Sequence, residues 1–348
     1  MMPLHSIAGN FFRIDRWIGA YTIGTGNIND TYRIDFETDG LTQSFVLQRI
    51  NHLIFRQPEA VMHNICLVTS HLRDNGFAYQ SPAPQPALNG AFFHKDPAGN
   101  YWRCFPFLAD TYAPEGKADV ATALEAAKAY GAFARALRNF PAQQLAETIP
   151  GFHNTDQRWE VFLQVLKEDP VGRVAGATHE IETMFQAKSV FDIVSQLKKC
   201  GALPLRVTHN DTKSGNILFS NNSHKALAVI DLDTVMSGVI LSDFGDMVRT
   251  FVPDTTEDDP SKVTLRGEIL EALTNGFLSE TADFLTPTEK DHLLLGGAWI
   301  TGEQALRFLT DWLAGDVYYK IQHREHNLVR TRNQLAVFSG LHTLITPL

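Results

Sequence analysis

The chain has little cysteine and no long apolar run. Its 348 residues include only three cysteines, whose wide spacing fits no metal-binding pattern and which cannot all pair with one another. Reduced thiols and a cytoplasmic location are therefore expected. The nearest approach to a membrane span, Leu293–Ile300, falls well short of the roughly 18 apolar residues that a spanning helix needs. We expect no membrane association.

Positive charge is also scarce. There are 30 Lys and Arg against 39 Asp and Glu, which gives a formal net charge of -9. A nucleic-acid-binding surface shows clustered Lys and Arg, so no nucleic-acid partner is expected. A small cationic site with magnesium can nevertheless hold a nucleotide inside an acidic protein. The length favours two or more domains or lobes.

One polar segment carries the pattern of a phosphoryl-transfer site. His209, Asp211 and Asn216 fit the spacing H-x-D-x-x-x-x-N, and Asp231 comes at the end of the apolar run 226–230. Phosphoryl transfer requires a carboxylate that orients the attacking hydroxyl and side chains that hold magnesium against the phosphates. We assign the first role to Asp211 and the second to Asn216 and Asp231.

Three neighbouring residues receive supporting roles. Lys213 is expected to point its ammonium group at the γ-phosphate, and His209 to support the loop through hydrogen bonds. Asp233 shares a face with Asp231 if the chain stays extended, so it is a further candidate metal ligand. The alternative interpretation is a polar loop with incidental acidic residues.

The triplet Asp243-Phe244-Gly245 has the composition of a kinase magnesium motif, but no predicted hairpin precedes it. Asp231 does have a strand before it and the expected distance from the loop. Asp243 is instead expected to cap a helix that begins near Phe244, or to brace the loop. The segment between Asp231 and Asp243 is too short for a platform that holds a peptide, which favours a small acceptor.

The first hundred residues are predicted to form five antiparallel strands and one helix. Tyr32, Ile34 and Phe36 alternate along one strand, and Asp39-Gly40 is a hairpin signal. Apolar residues at helical spacing after a first-turn proline indicate the helix. This combination is the small lobe of a kinase-like fold. The predicted strands cover 17–23, 31–37, 44–50, 88–94 and 101–107, and the helix covers 58–74.

Nucleotide contacts are expected on this lobe. The glycine-bearing turn 24–30 joins the first two strands, where a kinase phosphate loop lies, although a plain hairpin turn is the alternative. Arg49 is expected to face the phosphates, unless a shift of one residue puts Gln48 there. Glu59 lies too early in the helix to pair readily with that cation. The predicted nucleotide-binding residues are Gly24, Gly26, Asn27, Asn29, Arg49, Phe105 and Phe107, the last two as apolar walls for adenine.

The rest of the chain is predicted to be mostly helical, with one continuous helix over 287–313. This gives an N-terminal nucleotide-binding lobe at 1–107 and a C-terminal catalytic and acceptor-binding lobe at 108–348. Glu303 and Arg307 lie four residues apart on a predicted helix, so they form either an intrahelical ion pair or a wall of the acceptor pocket. Tyr318 and Tyr319 are expected on the same wall, and His153 at the surface.

These segments together resemble the aminoglycoside phosphotransferase and choline kinase superfamily, and within it the N-acetylhexosamine 1-kinases. The likeness extends over nearly the whole chain and implies an α+β fold with two protein-kinase-like lobes. The segments that carry it are GTGNINDTY at 24–32, FVLQRIN at 45–51, YWR at 101–103, THNDTK at 208–213, VIDLDTV at 229–235, DFGD at 243–246, RFLTDWLAGDVYY at 307–319 and EHNLVRTRNQ at 325–334.

The resemblance implies ATP and Mg²⁺ as cofactors and a small-molecule sugar as the substrate. Asp211 would orient the anomeric hydroxyl, and Arg307 and Tyr318 would contact the sugar. A choline-like or aminoglycoside-like acceptor is the alternative, and the acidic run 254–259 is the only dense set of carboxylates for an aminoglycoside. A nucleotide-binding pseudokinase module is a further alternative, which the complete set of Asp211, Asn216 and Asp231 disfavours. The sequence predicts no oligomeric state.

Overall fold

The N-terminal lobe is built on one antiparallel sheet. The computed structural model describes residues 2–24, 28–114 and 116–345. The strands of this sheet are β1 (Arg16–Thr22), β2 (Asp30–Thr38), β3 (Leu41–Ile50), β4 (His94–Lys95) and β5 (Tyr101–Pro106). Their order is β1-β2-β3-β5-β4, so the five-stranded antiparallel sheet is confirmed.

The two faces of the sheet are both covered. Ile34, Phe36 and Leu47 turn to one face, where they pack with the short helix α1 (Leu4–Ala8). The other face meets α2 (Pro58–Asp74), whose apolar side joins the main core together with Ile50. Because side chains alternate along a strand, the register decides which residues face the cleft between the lobes.

The fourth predicted strand is much shorter than expected. Leu88 to Phe93 lies outside the sheet, and only His94–Lys95 pairs with β5. The reason is a turn at Asn89-Gly90, where Gly90 has a φ of 85° and the Asn89 side chain accepts the N–H of Ala91 (3.0 Å). The turn uses the local hydrogen-bonding groups that a strand would offer its neighbour.

The C-terminal lobe is mostly helical, as predicted. Three small strand pairings carry the polar loop of residues 209–216 and the segment that follows it. The helices are α3 (Val120–Ala136), α4 (Thr155–Glu168), α5 (Thr178–Lys199), α6 (Ile240–Phe251), α7 (Gly267–Thr281), α8 (Pro287–Asp291), α9 (Leu293–Leu313) and α10 (His326–Ile345), and the strands are β6 (Thr111–Tyr112), β7 (Arg206–Thr208), β8 (Ile217–Ser220), β9 (Ala226–Val229) and β10 (Met236–Gly238).

Helix α9 is the centre of this lobe. It is buried along most of its length and packs between α6 and α10. The contact with α6 is made backbone to backbone, because a Cβ at Gly245 would overlap the carbonyl oxygen of Gly296. The glycine of the literal Asp-Phe-Gly triplet therefore serves helix packing.

Two helix boundaries differ from the predictions. The single helix expected over 287–313 breaks at His292, which ends α8 and precedes α9. Helix α6 begins at Ile240, ahead of the predicted start near Phe244. In the described ranges, no helix has the length and apolar character to span a bilayer.

Candidate active site

The H-x-D-x-x-x-x-N segment forms the loop between β7 and β8. Pairing of β7 with β10 and of β8 with β9 returns the chain to this loop after Asp231. Hydrogen bonds then join the two segments: the Thr234 hydroxyl donates to the His209 carbonyl (2.7 Å), and the Ile230 N–H donates to the Asn216 carbonyl (3.0 Å). The loop is thus fixed at both ends.

Asp243 braces the loop from helix α6. Its carboxylate accepts the backbone N–H groups of His209 (2.9 Å) and Asn210 (2.8 Å), and its carbonyl accepts the hydroxyl of Thr212 (2.6 Å). Burial raises the pKa of Asp243 to about 6 despite these donors. Since α6 starts at Ile240, Asp243 is not a helix cap, and the bracing alternative describes its position.

His209 is fully buried and uses both ring nitrogens inside the protein. Nε2 donates to the carbonyl of Ile230 (3.0 Å), which leaves Nδ1 to accept the backbone N–H of Asp211 (3.3 Å). The rings of Tyr130 and Phe133 meet it edge to face. The structure therefore places His209 where it supports the loop and not where it can receive a substrate proton.

Asp211 is held ready as a carboxylate. Its Oδ2 accepts from the Lys213 ammonium (2.7 Å) and from the Asn216 amide (2.8 Å). Burial opposes ionisation, but Lys213, His209 and Asn216 outweigh it and lower the pKa of Asp211. Asp211 is consequently charged at neutral pH and can accept a hydrogen bond from a substrate hydroxyl.

Asn216 and Asp231 present oxygen atoms beside Asp211. The Asn216 amide nitrogen donates to Asp211, so its oxygen remains an acceptor. Asp231 has a φ of 62° and a side chain open to the cleft. Enclosure by the surrounding protein, together with Asp233 and Asp211, raises the pKa of Asp231 to about 7. This surplus of negative charge suits a divalent cation.

The donor set fits magnesium better than a metal held by protein alone. Within the described residues no group of three or more His, Cys, Asp or Glu side chains could hold an ion. Magnesium typically takes one or two protein ligands and completes its octahedron with waters and substrate phosphates. Asn216 and Asp231 are such a pair.

Asp233 does not belong with these ligands. Its side chain is buried and forms an ion pair with Arg103 of β5 (Nη1 to Oδ1, 2.5 Å). Its other oxygen accepts from the side chain of Asn29 (2.7 Å). The expectation that Asp233 faces a metal is wrong, because the chain leaves the extended form after Asp231 and turns Asp233 toward the N-terminal lobe.

The register of β3 corrects the placement of Arg49. Arg49 pairs with Asp30 on the face away from the cleft. Gln48 lies on the opposite face, where its side-chain oxygen accepts from Nε of Arg103 (3.0 Å). Glu59 is exposed and forms no ion pair with a described residue. The cleft face therefore carries Gln48 where a kinase presents its lysine.

The other predicted nucleotide residues fall in three groups. Gly24 has a φ of 73°, which suits a tight turn, and Asn29 reaches Asp233 as described above. Phe105 and Phe107 lie on the same sheet face as Arg103, with guanidinium groups of Arg103 and Arg33 over their rings at 5.2 and 4.6 Å. Two predicted residues, Gly26 and Asn27, lie outside the described ranges.

Arg307 lies on the acceptor side without a carboxylate partner. Its guanidinium rests over the rings of Phe152 and Tyr319, both at 5.6 Å, and donates to Gln304 (3.1 Å). No carboxylate of a described residue lies within 4 Å of it. The intrahelical pair of Arg307 with Glu303 is therefore not formed, and a place for Arg307 in the wall of the acceptor pocket stays a prediction.

Glu303 is buried and hydrogen-bonded inside the protein, so it does not form part of the wall of the pocket. It accepts from His153 (2.8 Å) and from the Thr155 hydroxyl, with Arg158 at 3.7 Å. Burial works against its charge, but His153, Arg158 and Thr155 prevail and lower the pKa of Glu303 to about 2. This corrects the expectation for Glu303, whose side chain is 2% exposed with both oxygens hydrogen-bonded inside the protein, while His153 is partly buried against it.

Tyr318 and Tyr319 follow α9 in a loop that Asp311 organises. The carboxylate of Asp311 accepts the backbone N–H groups of residues 317, 318 and 319 at 2.8–3.0 Å. Tyr318 is mostly exposed, whereas Tyr319 packs against Arg307. The structure thus brings Tyr319 to Arg307 more closely than the predicted Tyr318.

A series of charged side chains near Asp211 was not predicted from the sequence. Arg249 of α6 pairs with Asp246 (2.8 Å) and with Glu257 (3.1 Å). Burial acts to lower the pKa of Arg249, but Asp246, Glu257 and, to a smaller extent, Asp211 outweigh it and raise that pKa. The spacing of Asp246 and Arg249 on one helix was the available signal. Their position links the catalytic loop to the side of the cleft where Arg307 lies.

A braced carboxylate, two candidate magnesium ligands and an adjoining antiparallel sheet are the features of a phosphotransferase site of the kinase type. The sequence matches the family described as "Phosphotransferase enzyme family" (APH) over residues 21–276. The chain therefore belongs to this family. It is a small-molecule phosphotransferase that acts on a hydroxyl acceptor.

Solved structures with the same fold extend over the whole chain. A microcompartment-associated aminopropanol kinase has a TM-score of 0.67 at 17% identity and covers 99% of this chain and 97% of its own. A spectinomycin phosphotransferase in complex with ADP and spectinomycin gives 0.62 at 13%, with 98% of this chain and 99% of its own covered. A choline/ethanolamine kinase family protein from Mesorhizobium loti gives 0.58 at 17%, with 99% of both chains covered.

Proposed function

We propose that the protein transfers the γ-phosphate of ATP to the anomeric hydroxyl of an N-acetylhexosamine, GlcNAc or GalNAc, to give the sugar 1-phosphate. The observation that carries the choice of acceptor is Arg307, a partly buried cation that faces aromatic rings and has no carboxylate partner among the described residues. A guanidinium group without a carboxylate partner can donate hydrogen bonds to the carbonyl or hydroxyl oxygens of a neutral sugar.

The charge around Arg307 argues against a cationic acceptor. Arg158 and Lys198 lie in the same region, and burial lowers the pKa of both. Choline and aminoglycosides carry positive charge, which this wall would repel. The acidic run 254–259 does not compensate, because Glu257 pairs with Arg249 and Asp258 with Arg330 and His326.

Each catalytic role follows from the geometry of the loop. Asp211 is a charged acceptor that orients the sugar hydroxyl for in-line attack. In the structure the Lys213 ammonium group pairs with Asp211. During the reaction it would leave this carboxylate and bind the transferred phosphoryl group. Asn216 and Asp231 would hold magnesium, which would supply positive charge against the phosphates.

ATP as the donor is supported by the fold and by a neighbour. The spectinomycin phosphotransferase of the same fold binds ADP. In this chain the rings of Phe105 and Phe107 lie beneath the guanidinium groups of Arg103 and Arg33, and Asn29 donates to Asp233, two residues after Asp231; these contacts support a nucleotide site between the sheet and the catalytic loop. We also propose that the N-terminal nucleotide-binding lobe ends at residue 107 and that the C-terminal lobe begins at residue 108.

The test is ADP release with MgATP across N-acetylhexosamines, hexoses, choline and aminoglycosides. We expect turnover with GlcNAc or GalNAc and a product whose phosphorus NMR spectrum shows an anomeric phosphate. Turnover with choline or an aminoglycoside alone would transfer the assignment to that acceptor. MgATP binding without turnover of any acceptor would favour the pseudokinase alternative.

A further inference from the structure

On the cleft face of the N-terminal sheet, the third strand carries a neutral residue at the position where kinases carry a charged one. Kinases present a lysine from the third strand to the phosphates and hold it with a helix glutamate. Here that position is Gln48, and Arg103 lies directly across from it on β5. Helix α2 offers Met62 to Arg103, with Sδ 3.9 Å from Nη1, in place of a carboxylate.

Arg103 is nevertheless tied to the magnesium site. Its side chain is 1% exposed and its Nη1 lies 2.5 Å from Asp233, two residues beyond the metal ligand Asp231. The same guanidinium acts to lower the pKa of Asp231. Nε is held by Gln48 (3.0 Å), while Nη2 has no hydrogen-bond partner in the described part of the chain.

We propose that Arg103 is the phosphate-contacting cation of this protein, relocated from the third strand to the fifth. Gln48 orients it, and Asp233 holds it until a nucleotide is bound. Burying a charged pair is costly compared with apolar packing, so its presence here calls for a role beyond stability. The side chain of Asn29 also donates to Asp233 (2.7 Å), so Asp233 keeps a partner when Arg103 turns to the phosphates.

This inference rests on the ATP use of the proposed function, so its test measures binding and not turnover. Calorimetry compares MgADP with adenosine for the intact protein and for Arg103→Lys and Arg103→Met. A lost charge-assisted contact is expected to weaken MgADP by about 10- to 100-fold for Arg103→Met. Arg103→Lys should lose less, and adenosine affinity should be unchanged in both.

Arg49→Met is the matched control, since Arg49 lies on the neighbouring strand with its side chain on the opposite face. It should bind MgADP as the unaltered protein does. Weaker MgADP binding in Arg49→Met and not in Arg103→Met would overturn the proposal. An equal loss of adenosine and MgADP in Arg103→Met would also overturn it, because it would show a purely structural role.

The experiment also distinguishes an unfolded variant, a failure of the proposed ATP use and a failure of the inference alone. If Arg103→Met does not fold, the double variant Arg103→Met/Asp233→Asn leaves no unpaired buried charge and takes its place in the same comparison. If the unaltered protein binds adenosine and MgADP equally poorly, the use of ATP fails. If it binds MgADP well and all Arg103 variants match it, only the inference fails.

Discussion

At the scale of single residues, Glu303 shows how a buried charge is maintained. Its pKa of about 2 against an ordinary 4.5 means that the charged form stabilises the fold. The groups that face it are His153 and Arg158, with Lys198 and Arg307 nearby. A depressed pKa gives stability that is complete above pH 4.5 and is lost as the pH falls toward 2.

Glu303→Gln is expected to lower the free energy of unfolding at pH 7 by about 3 kcal/mol, as a shift of this size implies. The difference from the unaltered protein should shrink between pH 4.5 and pH 2. Urea unfolding at several pH values measures both. Glu37→Gln, which breaks an exposed pair with Arg16, should cost much less at every pH. A constant loss at all pH values for Glu303→Gln would contradict the assignment.

Arg307 gives a second prediction at this scale. Arg307→Met removes an unpaired guanidinium from the acceptor wall, so kcat/KM for the sugar should fall by about 10- to 100-fold while MgADP affinity stays the same. Initial-rate kinetics and calorimetry separate the two. The control is Arg324→Met, because Arg324 is mostly exposed. An unchanged kcat/KM in Arg307→Met would remove it from the acceptor site.

At the scale of elements, the contact of α6 with α9 depends on Gly245. A methyl group there would overlap the backbone of Gly296, which cannot move as a flexible side chain can. Gly245→Ala should destabilise the protein by about 1–3 kcal/mol. Thermal or urea unfolding is the measurement.

The control for this prediction is Gly267→Ala at the start of α7. A Cβ at Gly267 meets no neighbouring atom within 4 Å, so this change should be neutral or should stabilise the protein by up to about 1 kcal/mol. Equal destabilisation in both variants would show that helix packing at Gly245 is not the cause. Because α6 also carries Asp243, turnover in Gly245→Ala should fall more than stability alone accounts for.

The elements themselves were largely predictable, because apolar spacing and caps are local signals. The strands β1–β3 and helix α2 appear close to their expected ranges. The direction of Arg49 was not predictable, since a slip of one residue exchanges it with Gln48. The direction of Asp233 was not predictable either, because its partner, Arg103, lies far from it in the sequence.

The contacts of Glu303 and Arg307 were not predictable from the sequence for the same reason. The spacing of Glu303 and Arg307 on one helix was read correctly, but each takes its contacts from other parts of the chain. Tertiary partners of this kind leave no periodic trace in a sequence. The catalytic loop could be located because its residues lie close together in the chain, whereas the role of Asp311 became visible only in the fold.

At the scale of the whole molecule, nucleotide binding should stabilise both lobes together. A ligand that binds only the folded protein adds about 2.7 kcal/mol at roughly 100 times its Kd. We expect MgADP to raise the melting temperature and ADP with EDTA to raise it less. Asp231→Asn should reduce the MgADP effect to the level seen with EDTA. An MgADP effect that survives in Asp231→Asn would place the metal elsewhere.

The pair of Arg103 and Asp233 joins the two lobes with both side chains nearly removed from solvent. Dissolved ions screen exposed charges over about 10 Å at 0.1 M salt but have little effect on buried pairs. Added salt should therefore weaken charge effects at the accessible acceptor wall while the attraction between the lobes persists. Ionic strength becomes a means to examine the two ends of the cleft separately.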